Sequence, residues 1–292
     1  IYMKGNISMM QLDNALGMMV GLAVGDALGA PLEFSPAREP EEYIINYATG
    51  GPHNVSVGEY TDDTAMALAL ADAFIANNGK FNPDDIMQNF LEWRDTGKYG
   101  TRDYCFDIGT TTLKAIERYR LDPDNPYKGN SDPAQSGNGA LMRIAPAVIA
   151  ANSYGEAAEY AVAQTILTHG SPECIEYSRI FAMELYGKDA LIKYADKKLS
   201  VDTPRTDVMS GGYVKETYQA AMWAFQTTDS FADCIITAVN RGHDSDTTGA
   251  VAGMLAGAFY GYDNIPQKYI DKLQRHDTIV DMTLKLWKTK KR

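Results

Sequence analysis

The sequence predicts an all-α protein, and three observations carry that prediction. Apolar residues recur at three- and four-residue intervals along most of the chain. Period-two alternation with β-branched or aromatic enrichment is scarce. Two segments place glycines four residues apart along one helical stripe. The 292 residues are 45% hydrophobic and 22% charged, a composition able to bury a sizeable core.

Taken in order, the periodic segments predict helices over Met9–Leu32, Thr64–Ile75, Pro83–Trp93, Thr110–Tyr119, Ala140–Ala151, Glu156–Leu167 and Pro172–Tyr186. Further ones follow over Val214–Phe225, Phe231–Asn240, Thr247–Phe259 and Gln267–Trp287. Asn77-Asn78-Gly79 stops the second helix, and Pro83 followed by two aspartates opens the third. Pro31 ends the first and leaves Glu33 at its terminus, where it could face a cleft. Three connections rich in Pro, Gly and Asn, over Ser35–Tyr60, Asp122–Asn138 and Ser200–Gly212, are long enough to be functional loops. No flexible linker or clean repeat divides the chain, so residues 1–292 are read as one domain, with 1–8 a tag remnant or disordered lead-in.

A formal charge of −11 argues against a nucleic-acid partner, which needs a Lys/Arg surplus on some face. The same excess of acids serves either a solubilising surface or the binding of cations. Cys105, Cys174 and Cys234 lie far apart, which excludes a disulfide framework and a thiolate zinc site and fits a reducing cytoplasm. No signal peptide opens the chain, and the uncharged stretch Thr247–Tyr262 is too short and glycine-rich for a membrane span.

The glycine stripes are Gly21-Gly25-Gly29 and Gly249-Gly253-Gly257. Each glycine costs a helix roughly 1 kcal/mol relative to Ala. Close backbone approach between helices is the compensating gain. Beside the stripes lie two acidic tracts, Thr61-Asp62-Asp63-Thr64 and His243-Asp244-Ser245-Asp246-Thr247, each opening a strongly apolar helix. Capping by Asp, Ser and Thr is one reading of either tract. A cap needs one oxygen, however, and each tract supplies two carboxylates and a hydroxyl. Several acids at a buried helix entry would be costly without a counter-ion. All-oxygen donors of this kind suit Mg²⁺ or Mn²⁺ better than zinc. Adjacent Asp62 and Asp63 diverge by about 100° on a helix, which favours two metals over one. Gly137-Asn138-Gly139 ahead of a helix is read either as an ordinary helix entry or as backbone N–H groups offered to a diphosphate. His53 and His276 carry no distinguishing context, and His243 is assigned to the surface.

Seven segments together carry a resemblance: GLAVGDALGAPLEF (21–34), YTDDTAMALALADA (60–73), DIGTTT (107–112), GNGALMRIAPAV (137–148), THGSP (168–172), GGYVKETYQAAMWAF (211–225) and NRGHDSDTTGAVAGMLAGAFYG (240–261). In this order they resemble the ADP-ribosylglycohydrolase family over most of the chain. The resemblance implies a single orthogonal helical domain with a dinuclear metal site at the base of a cleft. Matched by motif, Thr61, Asp62, Asp63, Asp244, Asp246 and Thr247 would be metal ligands, and Glu33 would act on the attacking water. Asp107 would face a substrate guanidinium. Gly137, Asn138, Gly139, Ala140, Met142 and Arg143 would line the ADP-ribose cleft, with His169 and Tyr213 near the adenosine or ribose.

The expected activity is metal-dependent hydrolysis of the N-glycosidic bond between ADP-ribose and a protein arginine. Two divalent cations, Mg²⁺ or Mn²⁺, are the expected cofactors. A mono-ADP-ribosylated protein and ADP-ribose are the expected partners, and a monomer the expected state. The charge of Asp107 suits a guanidinium better than a serine oxygen. Cleavage of serine-linked or other O-linked ADP-ribose, two-metal phosphoester cleavage of ADP-ribose, and binding without turnover are the competing readings.

Overall fold

A computed structural model describes residues 10–187 and 202–290; the expected lead-in at 1–8 lies outside the described residues. Among the described residues the regular structure is helical, with no β-strand beyond isolated bridges. Helix α1 (Leu12–Gly29) is buried along nearly its whole length and on every face. Antiparallel to it runs α10 (Ser245–Tyr260), equally apolar. The glycine stripes explain the pairing. A Cβ at Gly21 would fall on the carbonyl oxygen of Gly253, and one at Gly25 on that of Gly249. Gly17 against Gly257 and Gly29 against Ser245 extend the same register at both ends. Because the helices are antiparallel, this register brings the C-terminal end of α1 to the N-terminal end of α10. Close packing therefore decides where the acids meet.

Around this pair lie α2 (Asp62–Ala76), α3 (Pro83–Thr96), α4 (Thr110–Leu121), α5 (Ala145–Ala150), α6 (Tyr154–Ile166) and α7 (Pro172–Tyr186). Completing the shell are α8 (Val214–Gln226), α9 (Phe231–Val239), α11 (Gln267–Ile270) and α12 (His276–Lys288). Their buried apolar side chains join one cluster. Leu12–Leu32 is, by length and composition, the one described segment apolar enough to cross a bilayer, and 89% of that window is buried inside the protein. Its apolarity is thus taken up by helix packing.

Two predicted helices are shorter than their periodicity suggests. The segment predicted as Ala140–Ala151 is helical over Ala145–Ala150, because Pro146 fits the first turn of a helix and not its interior. Gly137-Asn138-Gly139 accordingly opens no helix: residues 138–143 form tight turns, with the Asn138 carbonyl accepting from the N–H groups of Leu141 (2.7 Å) and Met142 (3.1 Å). The predicted Gln267–Trp287 helix is split into α11 and α12. Between them Gln274 N–H donates to the Gly58 carbonyl (2.9 Å), and Arg275 takes a left-handed backbone (φ 56°).

Candidate active site

The acidic tracts begin the helices as predicted, but inside the first turn. Neither N-cap residue, Thr61 of α2 or Asp244 of α10, makes a side-chain capping hydrogen bond. The start of α2 is held from outside, by Asp26 on α1. Oδ1 of Asp26 accepts from the N–H (2.9 Å) and Oγ1 (2.9 Å) of Thr61; its Oδ2 accepts from the N–H (3.0 Å) and Oγ1 (2.6 Å) of Thr64. With capping performed by Asp26, the carboxylates of Asp62 and Asp63 are released for other work.

They meet Asp246 at the floor of a cleft of about 370 Å³. Thr61 Oγ1 lies 3.4 Å from Oδ2 of Asp63 and 3.3 Å from Oδ2 of Asp246. Carboxylate oxygens of Asp62, Asp107 and Asp246 all lie within 4.8 Å of one another. Asp246 thus belongs to two adjacent groups of oxygens. Asp62, Asp244, Asp246 and Thr247 face the cleft, while Thr61 and Asp63 sit beneath its surface. Asp244 is fixed by Asn138, whose Nδ2 donates to its Oδ2 (2.8 Å) and to Oγ1 of Thr217 (2.8 Å).

Three oxygens test whether this floor fits cations. Oδ1 of Asp63, Oδ1 of Asp246 and Oδ2 of Asp107 are buried and have no hydrogen-bond partner. Such orphans cost roughly 1–3 kcal/mol each, more when charged, unless a ligand satisfies them. Burial raises the carboxyls of Asp62 and Asp246 well above their ordinary range, and repulsion from Asp107 adds to both. Burial, then Asp26, does the same to Asp63. The floor therefore either holds protons or exchanges them for cations, and its donors are the hard oxygens that divalent metals prefer.

Glu33 follows the short 3-10 turn Ala30–Leu32 that ends α1, as Pro31 predicts. Burial, with Asp107 and Asp244 adding, pushes its carboxyl up to about 8. Burial likewise moves Asp107 up to about 7, opposed by the close approach of Asp246. Left-handed non-glycine residues mark these loops: Phe34 (φ 57°), Asp107 itself (φ 61°) and His243 (φ 54°). Phe34 N–H donates to the His243 carbonyl (2.6 Å), and His243 N–H to the Ser35 carbonyl (2.8 Å). That exchange ties the Glu33 loop to the one entering α10.

The cleft walls carry Gly137, Asn138, Gly139, Met142 and His169 from the expected lining set. Burial and the nearby Arg143 pull the His169 imidazole down to about 3, leaving it neutral. Tyr213 lines the adjoining cavity of about 570 Å³, and its hydroxyl donates to Glu173 (2.6 Å). Two residues depart from expectation. Ala140 is buried away from the cleft, and Arg143 is fully buried behind its wall. The Arg143 guanidinium donates to Gln164 Oε1 (3.1 Å) and Thr168 Oγ1 (2.6 Å) and lies over the Phe90 ring, 4.5 Å from its centroid. It supports the segment that carries His169. Asp107 also stands closer to the floor acids than a purely substrate-facing group would.

Two residues escaped the sequence reading. An acid such as Asp26 in an otherwise apolar helix was a visible signal, since a buried carboxylate requires donors. His53 offered none: its Nε2 lies 2.8 Å from Oδ1 of Asp107 and 3.1 Å from Oε2 of Glu33, both remote in sequence.

The chain is similar to known proteins over most of its length. An ADP-ribosylarginine hydrolase of Serratia proteamaculans is 34% identical over 94% of this chain and 79% of its own length. An ADP-ribosyl-[dinitrogen reductase] glycohydrolase of Rhodospirillum rubrum is 35% identical over 89% of this chain and 90% of its own length. A solved structure described as an ADP-ribosylglycohydrolase-related protein complex superposes with a TM-score of 0.81 at 33% identity, covering 95% of this chain and 98% of that one. The sequence profile of the ADP-ribosylglycohydrolase family matches residues 8–292, so the chain belongs to the ADP-ribosylglycohydrolase family of hydrolases.

Proposed function

We propose that the protein hydrolyses the N-glycosidic bond between ADP-ribose and a modified arginine side chain, with two divalent cations at the cleft floor. The observation that carries this reading is the convergence of buried, unpartnered carboxylate oxygens of Asp63, Asp107 and Asp246 beneath an open cleft. Relatives from Serratia proteamaculans and Pseudomonas putida named as ADP-ribosylarginine hydrolases, each 34% identical, support the linkage.

Thr61, Asp62, Asp63, Asp244, Asp246 and Thr247 would hold the cations, Mg²⁺ or Mn²⁺, through the hard oxygen donors these metals prefer. Cations held there would supply Lewis acidity and positive charge beside the bound sugar. Glu33 lines the cleft beside the floor acids, where it would orient water and take its proton. The water oxygen bonds to the anomeric carbon as the carbon–nitrogen bond breaks. The departing guanidine takes up the proton removed from water, giving ADP-ribose and arginine. Asp107 holds the guanidinium in line, its carboxylate matching that group's charge. Gly137, Asn138, Gly139, Met142 and His169 form the wall against which ADP-ribose lies.

The test is release of ADP-ribose from arginine-modified protein with Mn²⁺ and again with chelator. Activity with Mn²⁺ alone supports the proposal, whereas equal activity in both removes the metal. AMP as product would instead indicate phosphoester cleavage, and release from serine-linked but not arginine-linked substrate would overturn the linkage.

A further inference from the structure

His53 stands where three separate pieces of chain converge on the reacting acids. Its turn is closed by the pair Gly50 and Val55, which exchange N–H···O bonds of 2.9 and 2.8 Å. Gly51, with a left-handed backbone (φ 69°), lies so close to Pro31 that a Cβ there would approach its Cα to 2.7 Å. The turn is therefore seated on the 3-10 segment that delivers Glu33. From the other side, Arg102 is anchored by Glu59 (2.7 Å) and donates through Nη2 to the His53 carbonyl (3.0 Å). Arg102 also covers the Phe106 ring at 4.1 Å, and that ring packs on the His53 imidazole at 5.8 Å. Phe106 immediately precedes Asp107. The turn, the Glu33 segment and the Asp107 loop are thus locked together through one side chain.

At that junction Nε2 of His53 lies 2.8 Å from Oδ1 of Asp107 and 3.1 Å from Oε2 of Glu33. The Glu33 side chain is 7% exposed, and its Oε2 has no hydrogen-bond partner. Nε2 of His53 has none either, so the imidazole faces both carboxylates without being fully aligned on one. Two carboxylates at this depth repel unless something polar stands between them. His53 is the side chain in that place.

We propose that His53 is a positioning residue for the hydrolase reaction: its imidazole sets the spacing of Glu33 and Asp107 and so aims Glu33 at the attacking water. It acts through these two carboxylates and does not touch substrate. The inference rests on the reading that Glu33 and Asp107 serve hydrolysis of an ADP-ribosyl bond.

Two variants separate the polar role from simple packing. His53→Phe keeps a ring against Phe106 and removes the nitrogen; His53→Gln keeps an amide donor near Nε2 and removes the ring. Positioning predicts that His53→Phe lowers kcat by about tenfold or more with KM within about twofold, whereas His53→Gln recovers most of the rate. A packing role predicts the opposite ranking, and that ranking, or two variants equal to wild type, overturns the proposal. Rates are read on arginine-linked and serine-linked ADP-ribose, so activity confined to the serine linkage defeats the arginine reading and leaves the His53 comparison measurable. A wild type that cleaves neither overturns both. A crystal structure of His53→Phe supplies a readout free of activity: Glu33 displaced relative to Asp107 supports the proposal, and Glu33 unmoved contradicts it.

Discussion

Asp26 and Asp246 lie at similar depth at the junction of α1, α2 and α10, yet they keep different company. Asp26 is fully buried, with four donors on its two oxygens. Asp246 is 2% exposed, and its Oδ1 has no partner. Burial raises both carboxyls, Asp26 to about 6 and Asp246 well above the ordinary range. Burial therefore does not distinguish them, but donors do. A saturated carboxylate ties α1 to the start of α2, whereas an orphaned one at a cleft floor is prepared for a ligand. The same contrast explains why the acids of α2 need not cap it.

The largest expected effect comes from the orphaned side. Asp246→Ala should lower hydrolysis by about 1000-fold or more, since a bound cation contributes several kcal/mol to transition-state stabilisation. Calorimetry with Mn²⁺ should show at least one ion lost, and unchanged stoichiometry would count against Asp246 as a ligand. On the saturated side, Asp26→Ala leaves two hydroxyls and two N–H groups without their acceptor. It should cost about 3 kcal/mol or more in urea unfolding. A variant as stable as wild type would refute Asp26 as the tie between α1 and α2.

The next test uses protons. Folded-state values raised to about 6, 7 and 8 for Asp26, Asp107 and Glu33 mean that the cation-free folded protein binds more protons than the unfolded chain. Stability from these groups is greatest below the unfolded carboxylate range and is lost as pH rises toward about 8. In chelator, Tm should fall between pH 5 and pH 8. With Mn²⁺, whose positive charge lowers the proton affinity of the acids around it, the stabilisation should grow over the same interval. A cation effect independent of pH would break the link between the raised carboxyls and metal binding. The smallest effect is reserved for one hydroxyl: Thr64→Val removes one of the four donors to Asp26 and should cost about 1 kcal/mol, while Thr64→Ser stays near wild type. Metal stoichiometry should be untouched in both.

Most of the helical layout was legible from periodicity, and the exceptions have local causes. Pro146 shortens α5, and the Gly58 carbonyl taking the Gln274 N–H accompanies the break between α11 and α12. The two acidic tracts were readable because several acids before an apolar run exceed what capping needs. Arg143 lies behind the cleft wall and not on it because motif position says nothing about which way a buried guanidinium turns; Gln164, Thr168 and Phe90 determine that. His53 could not be found because its meaning lies entirely in Glu33 and Asp107.

The amino-acid sequence by itself determined where most helices lie, that two glycine stripes would permit close helix approach, and that acids would stand at two helix entries. Periodicity, turn residues and capping act over a few neighbouring positions, so they can be read from the chain. Only the tertiary structure decided that the stripes pair antiparallel, that Asp26 is satisfied while Asp63 and Asp246 are not, and that His53 lies between Glu33 and Asp107. Satisfaction of a buried polar group depends on partners brought from distant parts of the chain, and those partners exist only once the helices have packed.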